Sequence, residues 1–369
     1  MPTDAIVIGG GIVGGAAAAH LALSGRRVTL IEAAAIGAGA SGRNSGVVQH
    51  PFDPVLVELH LETLELYRHL DGFALPASPA GLLNVTRDVD GARRLATSLA
   101  MTHPHLRPSF LPPVEVHRIE PAIAEDVAAC RLDIGFPVGP ASATTAYVAW
   151  AERLGVEVRI GTPAAIERDG SRVTGVALGD GTRLTADDVV VAAGPWTPGI
   201  IDPTGDWRPI RRFWGVVATV ALDAPPRHVL EEAEISIEPG DEQEDGGFSF
   251  SLISADGATS LGSTFLHDEP DVTATVPRIV ERGTGFVPSI ARAPIGSTRV
   301  CARPLSLDGR PLIGAIPAVD GLWIAAGHGP WGISTGPASG RLIADLVDGR
   351  LAGPPPELDP ARFGVPPSG

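Results

Sequence analysis

A short apolar run, Asp4–Ile8, leads into three consecutive glycines, then an alanine-rich stretch to about Ser24, then Gly25 and a second β-branched run, Arg27–Glu32. Few local patterns restrict a fold as much. An uninterrupted apolar run ending in glycine reads as a strand buried on both faces. The alanine-rich stretch, stopped by Gly25, reads as a helix. The chain is therefore expected to open with a parallel strand–helix–strand unit. Gly9, Gly11 and Gly14 place G-x-G-x-x-G at the strand-to-helix turn. Gly9 permits the turn, Gly11 lets a pyrophosphate approach the backbone, and Gly14 lets helix and strand pack closely. The N–H groups that open the helix, at Ile12 and Val13, offer phosphate the positive end of the helix dipole. Glu32 closes the second strand 18 residues after Gly14. Its carboxylate can accept from a ribose 2′-hydroxyl and would repel a 2′-phosphate. With the adjoining Ala33, these residues predict an unphosphorylated dinucleotide, FAD or NAD.

The rest of the chain sets wider limits. At 369 residues it is long for one core, so two domains are expected. A net charge of −15 argues against nucleic acid or an anionic membrane as the main partner. All 28 basic residues are arginine, so no lysine is present to form a Schiff base or act as a pKa-shifted amine. Cys130 and Cys301 are too few for a disulfide framework, which fits a reducing, cytoplasmic setting. The apolar N-terminus begins with Asp4 and is broken by glycines and His20, and no run reaches 18 apolar residues, so neither a leader nor a membrane span is expected. No cluster suggests a metal site.

Periodicity predicts helices near 55–71, 143–154 and 275–285, and strands near 213–221, 248–253 and 260–265. Between Val156 and Val191 several short strands are separated by DG turns. Three later stretches bear on the ligand. AAAIGAGASGRNSGVVQ (33–49) is rich in glycine and serine, as a flavin requires if main-chain N–H groups are to reach the pyrophosphate and the ring edge. DDVVVAAGPW (187–196) is a strand ending in a glycine turn, and AGHGPWGISTG (326–336) would set another helix N-terminus near a ligand.

Together with VCARPLSLDG (300–309), these motifs resemble the D-amino acid oxidase superfamily of FAD-dependent oxidoreductases, which includes glycine oxidase, sarcosine oxidase and the D-amino acid dehydrogenases. The resemblance runs from the fingerprint to about residue 350 and selects FAD over NAD. It implies an α/β fold, α+β in its second part. A Rossmann-like FAD-binding domain would be assembled from 1–75, 141–208 and 301–369, and a mixed-sheet substrate domain from 76–140 and 209–300. FAD would lie against the fingerprint, against Ala40, Ser41, Arg43, Asn44, Ser45 and Gly46, against Ala193, Gly194 and Trp196, and against Gly327, His328, Gly329, Trp331, Gly332 and Ile333.

By the same resemblance Arg303 holds the substrate carboxylate, where its planar guanidinium would fix Cα–H toward flavin N5. The reaction implied is transfer of the Cα hydride, giving an imine that hydrolyses to keto acid and amine. His328 and its loop would face flavin N1 and O2, and Asn44 would flank the ring. Cys301, seven residues before Asp308, matches the spacing by which sarcosine oxidase-like members attach FAD covalently. Asp308 is also the expected partner of Arg303 if that arginine is only structural. Tyr67 and Tyr147 both fall outside 209–300, so Trp214, Phe248, Phe250, Phe265 and Trp331 are the expected walls of an apolar substrate pocket. The electron acceptor, O2 or a quinone, and any homo-oligomer or partner subunit stay open. Two other activities also remain: oxidation of a 2-hydroxy acid, and service as the FAD subunit of a multi-chain amine dehydrogenase.

Overall fold

The opening residues form the predicted unit: strand β1 (Ala5–Ile8), helix α1 (Ile12–Leu23) and strand β2 (Val28–Glu32). In the computed structural model, residues 4–233 and 247–366 are described. All four residues of β1 are buried. Ala5 and Val7 pack on helices, while Ile6 and Ile8 pack on the opposite face, which is why this strand shows no alternation. β1 lies inside a six-stranded sheet. In order across it run Leu312–Ala315, Leu322–Ala326, Asp188–Val191, β1, β2 and Glu157–Ile160. Leu312–Ala315 is antiparallel to its neighbour and the other pairings are parallel. One face carries α1 with the helices Ser142–Arg153 and Gly332–Val347. The other carries a small antiparallel sheet of Ala164–Asp169, Arg172–Leu178 and Arg183–Thr185.

A second, eight-stranded sheet runs Ile295–Ser306, Ile210–Val220, Ala258–Thr264, Phe248–Ala255, Val229–Glu232, Leu82–Thr86, Ala128–Leu132 and Ser109–Leu111. Only Val229–Glu232 and Leu82–Thr86 pair in parallel. The helix Val272–Phe286 covers one face, against Leu230, Phe250, Leu252 and Leu261. The predicted helices near 55–71 and 143–154 are found at Pro54–Arg68 and Ser142–Arg153. The first starts at Asp53, whose carboxylate caps the N–H groups of Val55 and Leu56, and has Pro54 at its first position. Pro304 is tolerated inside Ile295–Ser306 because this strand is the edge of its sheet. The same strand runs through residue 301. No helix among the described residues is long and apolar enough to cross a membrane.

One buried group on α1 makes the fold sensitive to acid. His20 is 9% exposed and lies edge-on to Trp150 at 5.3 Å, and its Nε2 has no partner among the described residues. Burial, reinforced by Arg341 and Arg350, lowers its pKa to about 4 from 6.5. The unfolded chain therefore takes up this proton first as pH falls. Its contribution is intact above the unfolded pKa and is lost as pH drops toward the folded one. His50, His60 and His328 are shifted in the same direction. His20→Leu should narrow the Tm difference between about pH 7.5 and about pH 5 by several degrees in thermal melts. An unchanged difference would show that His20 is not one of the groups responsible.

Candidate active site

The carboxyl ends of the parallel strands and the face of the eight-stranded sheet opposite the helix Val272–Phe286 enclose a cavity of about 1360 Å³. Small-molecule sites commonly measure about 300–1,000 Å³, so a dinucleotide and a substrate fit together. Gly9, Gly11, Ile12 and Val13 line it, as do Glu32 and Ala33. No side chain of its own segment caps α1; Ser41 Oγ instead accepts from Ile12 N–H at 3.0 Å, bringing the glycine- and serine-rich loop onto the helix N-terminus. Glu32 accepts from Gly10 N–H at 2.7 Å and from Ala34 N–H at 2.8 Å, which fixes its carboxylate at the end of β2.

Ala40, Ser41, Arg43, Asn44 and Ser45 line the cavity too. The Asn44 amide is occupied locally: it donates to the carbonyls of Ser41 and Pro140, both at 2.8 Å, and accepts from Gly46 N–H. It shapes the loop with its side chain rather than pointing a free amide at a substrate. Arg43 donates to the Val300 carbonyl at 3.0 Å and so ties this loop to the large sheet. Ala193, Gly194 and the half-exposed Trp196 form another wall, and His328, Gly329, Trp331, Gly332 and Ile333 a third. Gly14, Gly46 and Gly327 are not among the lining residues. The helix Gly332–Val347 begins without a side-chain cap, so its open N-terminus meets this space along with that of α1, where only the Ile12 N–H is taken by Ser41.

His328 is 2% exposed, with Nε2 at 2.9 Å from Ser339 Oγ. That hydroxyl donates to the Thr335 carbonyl at 3.0 Å, so the imidazole must donate from Nε2. Burial lowers its pKa to about 4. The ring is neutral at pH 7, and positive potential on this side comes from the helix terminus instead.

Arg303 reaches the cavity from the edge strand. Nη1 donates to the Thr264 carbonyl at 2.8 Å and Nη2 to Ser263 Oγ at 2.9 Å, with the guanidinium carbon 4.6 Å from the centre of the Phe265 ring. Gly215, on the neighbouring strand, makes room for it, since a Cβ there would lie 2.5 Å from Nη2. Asp308 is not its partner; that carboxylate pairs with Arg362 at 2.7 Å. Arg303 forms no ion pair among the described residues, and burial pulls its pKa down. A guanidinium held here without a counter-ion retains donors for an anion. Cys301 is also in the wall, 7% exposed. Burial pushes its thiol up, against an opposing pull from Arg303, Arg43 and Arg299.

The expected aromatic walls are only partly there. Phe265 and Trp331 line the cavity, but Trp214, Phe248 and Phe250 do not. Phe250 stacks on Phe286 of the covering helix, with ring centres 4.8 Å apart, and Phe248 lies beneath Arg278 of that helix. Strand alternation is the cause: in Phe248–Ser251 the phenylalanines face the helix, and Ser249 and Ser251 face the cavity. Sequence reasoning also missed Glu231, which lines the cavity beside Gln49. Its only signal was two adjacent glutamates ending a strand-like run, VLEE.

A family model described as FAD dependent oxidoreductase (DAO) matches residues 4–346. The chain belongs to this family. Glycine oxidase of Pseudomonas aeruginosa is 28% identical over 98% of both chains. A D-amino acid dehydrogenase of Cereibacter sphaeroides is 33% identical over 58% of this chain and 47% of its own length. Among solved structures, glycine oxidase from Geobacillus kaustophilus superposes with a TM-score of 0.81 at 24% identity, covering 99% of this chain and 98% of its own. L-proline dehydrogenase from P. horikoshii does so at 0.82 and 21%, covering 99% of each. At these identities the superpositions establish a shared fold.

This DAO-family protein is an FAD-dependent oxidoreductase. Its cavity suits FAD. Helix N-termini offer N–H donors for phosphate, at α1 those beyond the Ile12 N–H taken by Ser41, and the carboxylate ending β2 offers an acceptor for ribose. Among the described residues no group of three or more His, Cys, Asp or Glu side chains is placed to hold a metal ion.

Proposed function

We propose that this flavoenzyme oxidises the C–N bond of an amino acid or N-substituted amino acid whose carboxylate is held by Arg303. The observation that carries the reading is a cavity-facing guanidinium anchored by Ser263 and Thr264 yet lacking a counter-ion among the described residues. Bound FAD supplies a hydride acceptor. The residues do the positioning: Arg303 receives the carboxylate in two parallel hydrogen bonds and so limits how Cα can be presented. The fingerprint, Ser41, the 40–46 loop and the 327–333 loop hold the dinucleotide between the two sheets. In this division the FAD domain is 1–75, 141–208 and 301–369 and the substrate domain 76–140 and 209–300, except that the strand Ile295–Ser306 crosses the boundary and carries Arg303 to the substrate with the eight-stranded sheet.

Anaerobic bleaching of the flavin by a panel of D- and L-amino acids, N-methyl amino acids and 2-hydroxy acids tests the reading. Bleaching by carboxylate-bearing amines is the expected result. Reduction by hydroxy acids alone would transfer the assignment to C–O oxidation, and no reduction by any carboxylate would remove the clamp. Re-oxidation of the bleached enzyme by O2 against a quinone then identifies the acceptor, with no lysine in the chain to assist oxygen.

Flavin attachment has a separate expectation. Burial keeps the Cys301 thiol protonated, which disfavours the thiolate needed to form a thioether. Acid precipitation is therefore expected to release all the flavin into the supernatant, measured by absorbance. Yellow colour kept in the washed pellet would establish a covalent link, and its loss in Cys301→Ser would place it.

A further inference from the structure

The cavity face of the eight-stranded sheet has two chemically opposite ends. At the edge, Arg303, Arg43 and Arg299 all act on the Cys301 thiol, so this end is positive. The Arg303 guanidinium reaches across to the strand Ala258–Thr264. Two strands further in lies Val229–Glu232. At about 4.8 Å per strand, the two lines are about 10 Å apart.

Glu231 is in register with Ser251 on one side and Asn84 on the other. Residues paired in this way point to the same face, and Ser249, two positions from Ser251, shares it. All four line the cavity. The adjacent Glu232 also borders the cavity but is neutralised: Arg282 of the covering helix donates to both its oxygens, at 2.7 and 2.9 Å, and Phe250 N–H donates as well. For Glu231 the described structure provides one weak donor, Gln49 Nε2 at 3.3 Å. Ser249 and Ser251 are 3% and 7% exposed, and neither hydroxyl has a hydrogen-bond partner among the described residues. Burial pushes the Glu231 carboxyl up to about 7, with only the Gln49 amide opposing.

We propose that Asn84, Glu231, Ser249 and Ser251 form a specificity site for the far end of the substrate, and that the preferred amino acid carries a basic nitrogen in its side chain, received by Glu231. This rests on the reading of Arg303 as the carboxylate clamp. An aliphatic side chain would seal a carboxyl and two hydroxyls against hydrocarbon and leave them unsatisfied. An ammonium or guanidinium would ionise Glu231 fully and pair with it, and its remaining N–H groups would suit the serine hydroxyls. Side chains of ornithine, lysine or arginine length match the spacing between the two ends. Alanine and glycine are too short to reach.

The test uses the FAD-loaded protein in two ways. Perturbation of the flavin spectrum reports binding of 5-aminopentanoate and pentanoate, which differ only in the terminal ammonium and lack an α-amine. Anaerobic bleaching compares ornithine with norvaline, in both enantiomers. The wild type should bind 5-aminopentanoate about ten-fold or more tightly over pentanoate, the scale of one charged hydrogen bond. Ornithine should exceed norvaline in kcat/KM by a similar factor. Glu231→Gln, which is isosteric and should keep its FAD, should reduce both ratios to about two-fold or less.

Equal binding of the two pentanoates, a preference for the unsubstituted one, or no response to either would overturn the proposal. So would a Glu231→Gln loss in kcat that is the same for ornithine and norvaline, because that pattern assigns Glu231 to the α-amine. If no amine bleaches the flavin while the binding preference is present and is lost in Glu231→Gln, the oxidation reading fails and the specificity site stands.

Discussion

Arg303→Ala is expected to raise the KM for a carboxylate-bearing amine by roughly two to three orders of magnitude while FAD stays bound. Removing one partner of a buried, hydrogen-bonded charge pair costs about 2–5 kcal/mol, at about 1.4 kcal/mol per ten-fold. The substrate carboxylate would then lie in a cavity that has lost its cation. Arg303→Lys keeps a charge but loses the planar fork, so its KM should fall between alanine and the wild type. Steady-state kinetics, with the flavin-to-protein absorbance ratio as a control, decide the matter. Arg303 also joins its own strand to Ser263 and Thr264, so the ratio shows whether the wall has survived. An unchanged KM with full flavin content would sink the clamp.

The second large effect concerns Gly14. A Cβ at this position would sit 1.9 Å from the Gly9 carbonyl oxygen and 3.1 Å from its carbon, both backbone atoms. Gly9 cannot yield easily, because its φ is +117° and a Cβ there would lie 2.4 Å from the Ala192 carbonyl oxygen. Gly14→Ala therefore has to push α1 away from β1 at the point where the helix N-terminus meets the cavity. Overpacking of this kind costs about 1–3 kcal/mol or more. The displacement also moves the N–H donors offered to pyrophosphate. The variant is expected to purify with little or no FAD and a lowered Tm, read from flavin absorbance and thermal melting. Gly25→Ala is the control: its φ is +95° but nothing lies within 4 Å of the added atom, so it should keep its flavin and incur only backbone strain. Full FAD content in Gly14→Ala would mean that close packing at this turn is not what sets the cofactor's place.

The two predictions differ in how much of their basis is local. Gly9, Gly11, Gly14 and Glu32 lie within one strand–helix–strand unit, and their roles depend on φ, on Cβ sterics and on the helix dipole, all properties of neighbouring residues. The sequence therefore determined the strand–helix–strand turn proposed to receive the dinucleotide. Through the motif around Arg303 it also marked a residue that the fold turns into the cavity without a counter-ion. The substrate end was not legible in this way. Nothing in FSFS states which parity faces the cavity, and a one-residue change in register exchanges the faces. Phe248 and Phe250 were reasonable pocket walls until pairing with Val229–Glu232 and the covering helix turned Ser249 and Ser251 inward instead. The same pairing gave two adjacent glutamates different partners: both line the cavity, but Glu232 is held by Arg282 and Glu231 has only Gln49 among the described residues. Likewise His328 is kept neutral by burial, with its Nε2 committed to Ser339, eleven residues away on the following helix. Short-range geometry decided the shape of the turn proposed to receive the cofactor. The character of the substrate pocket was decided only in the tertiary structure, because strand partners distant in sequence choose which side chains share a face.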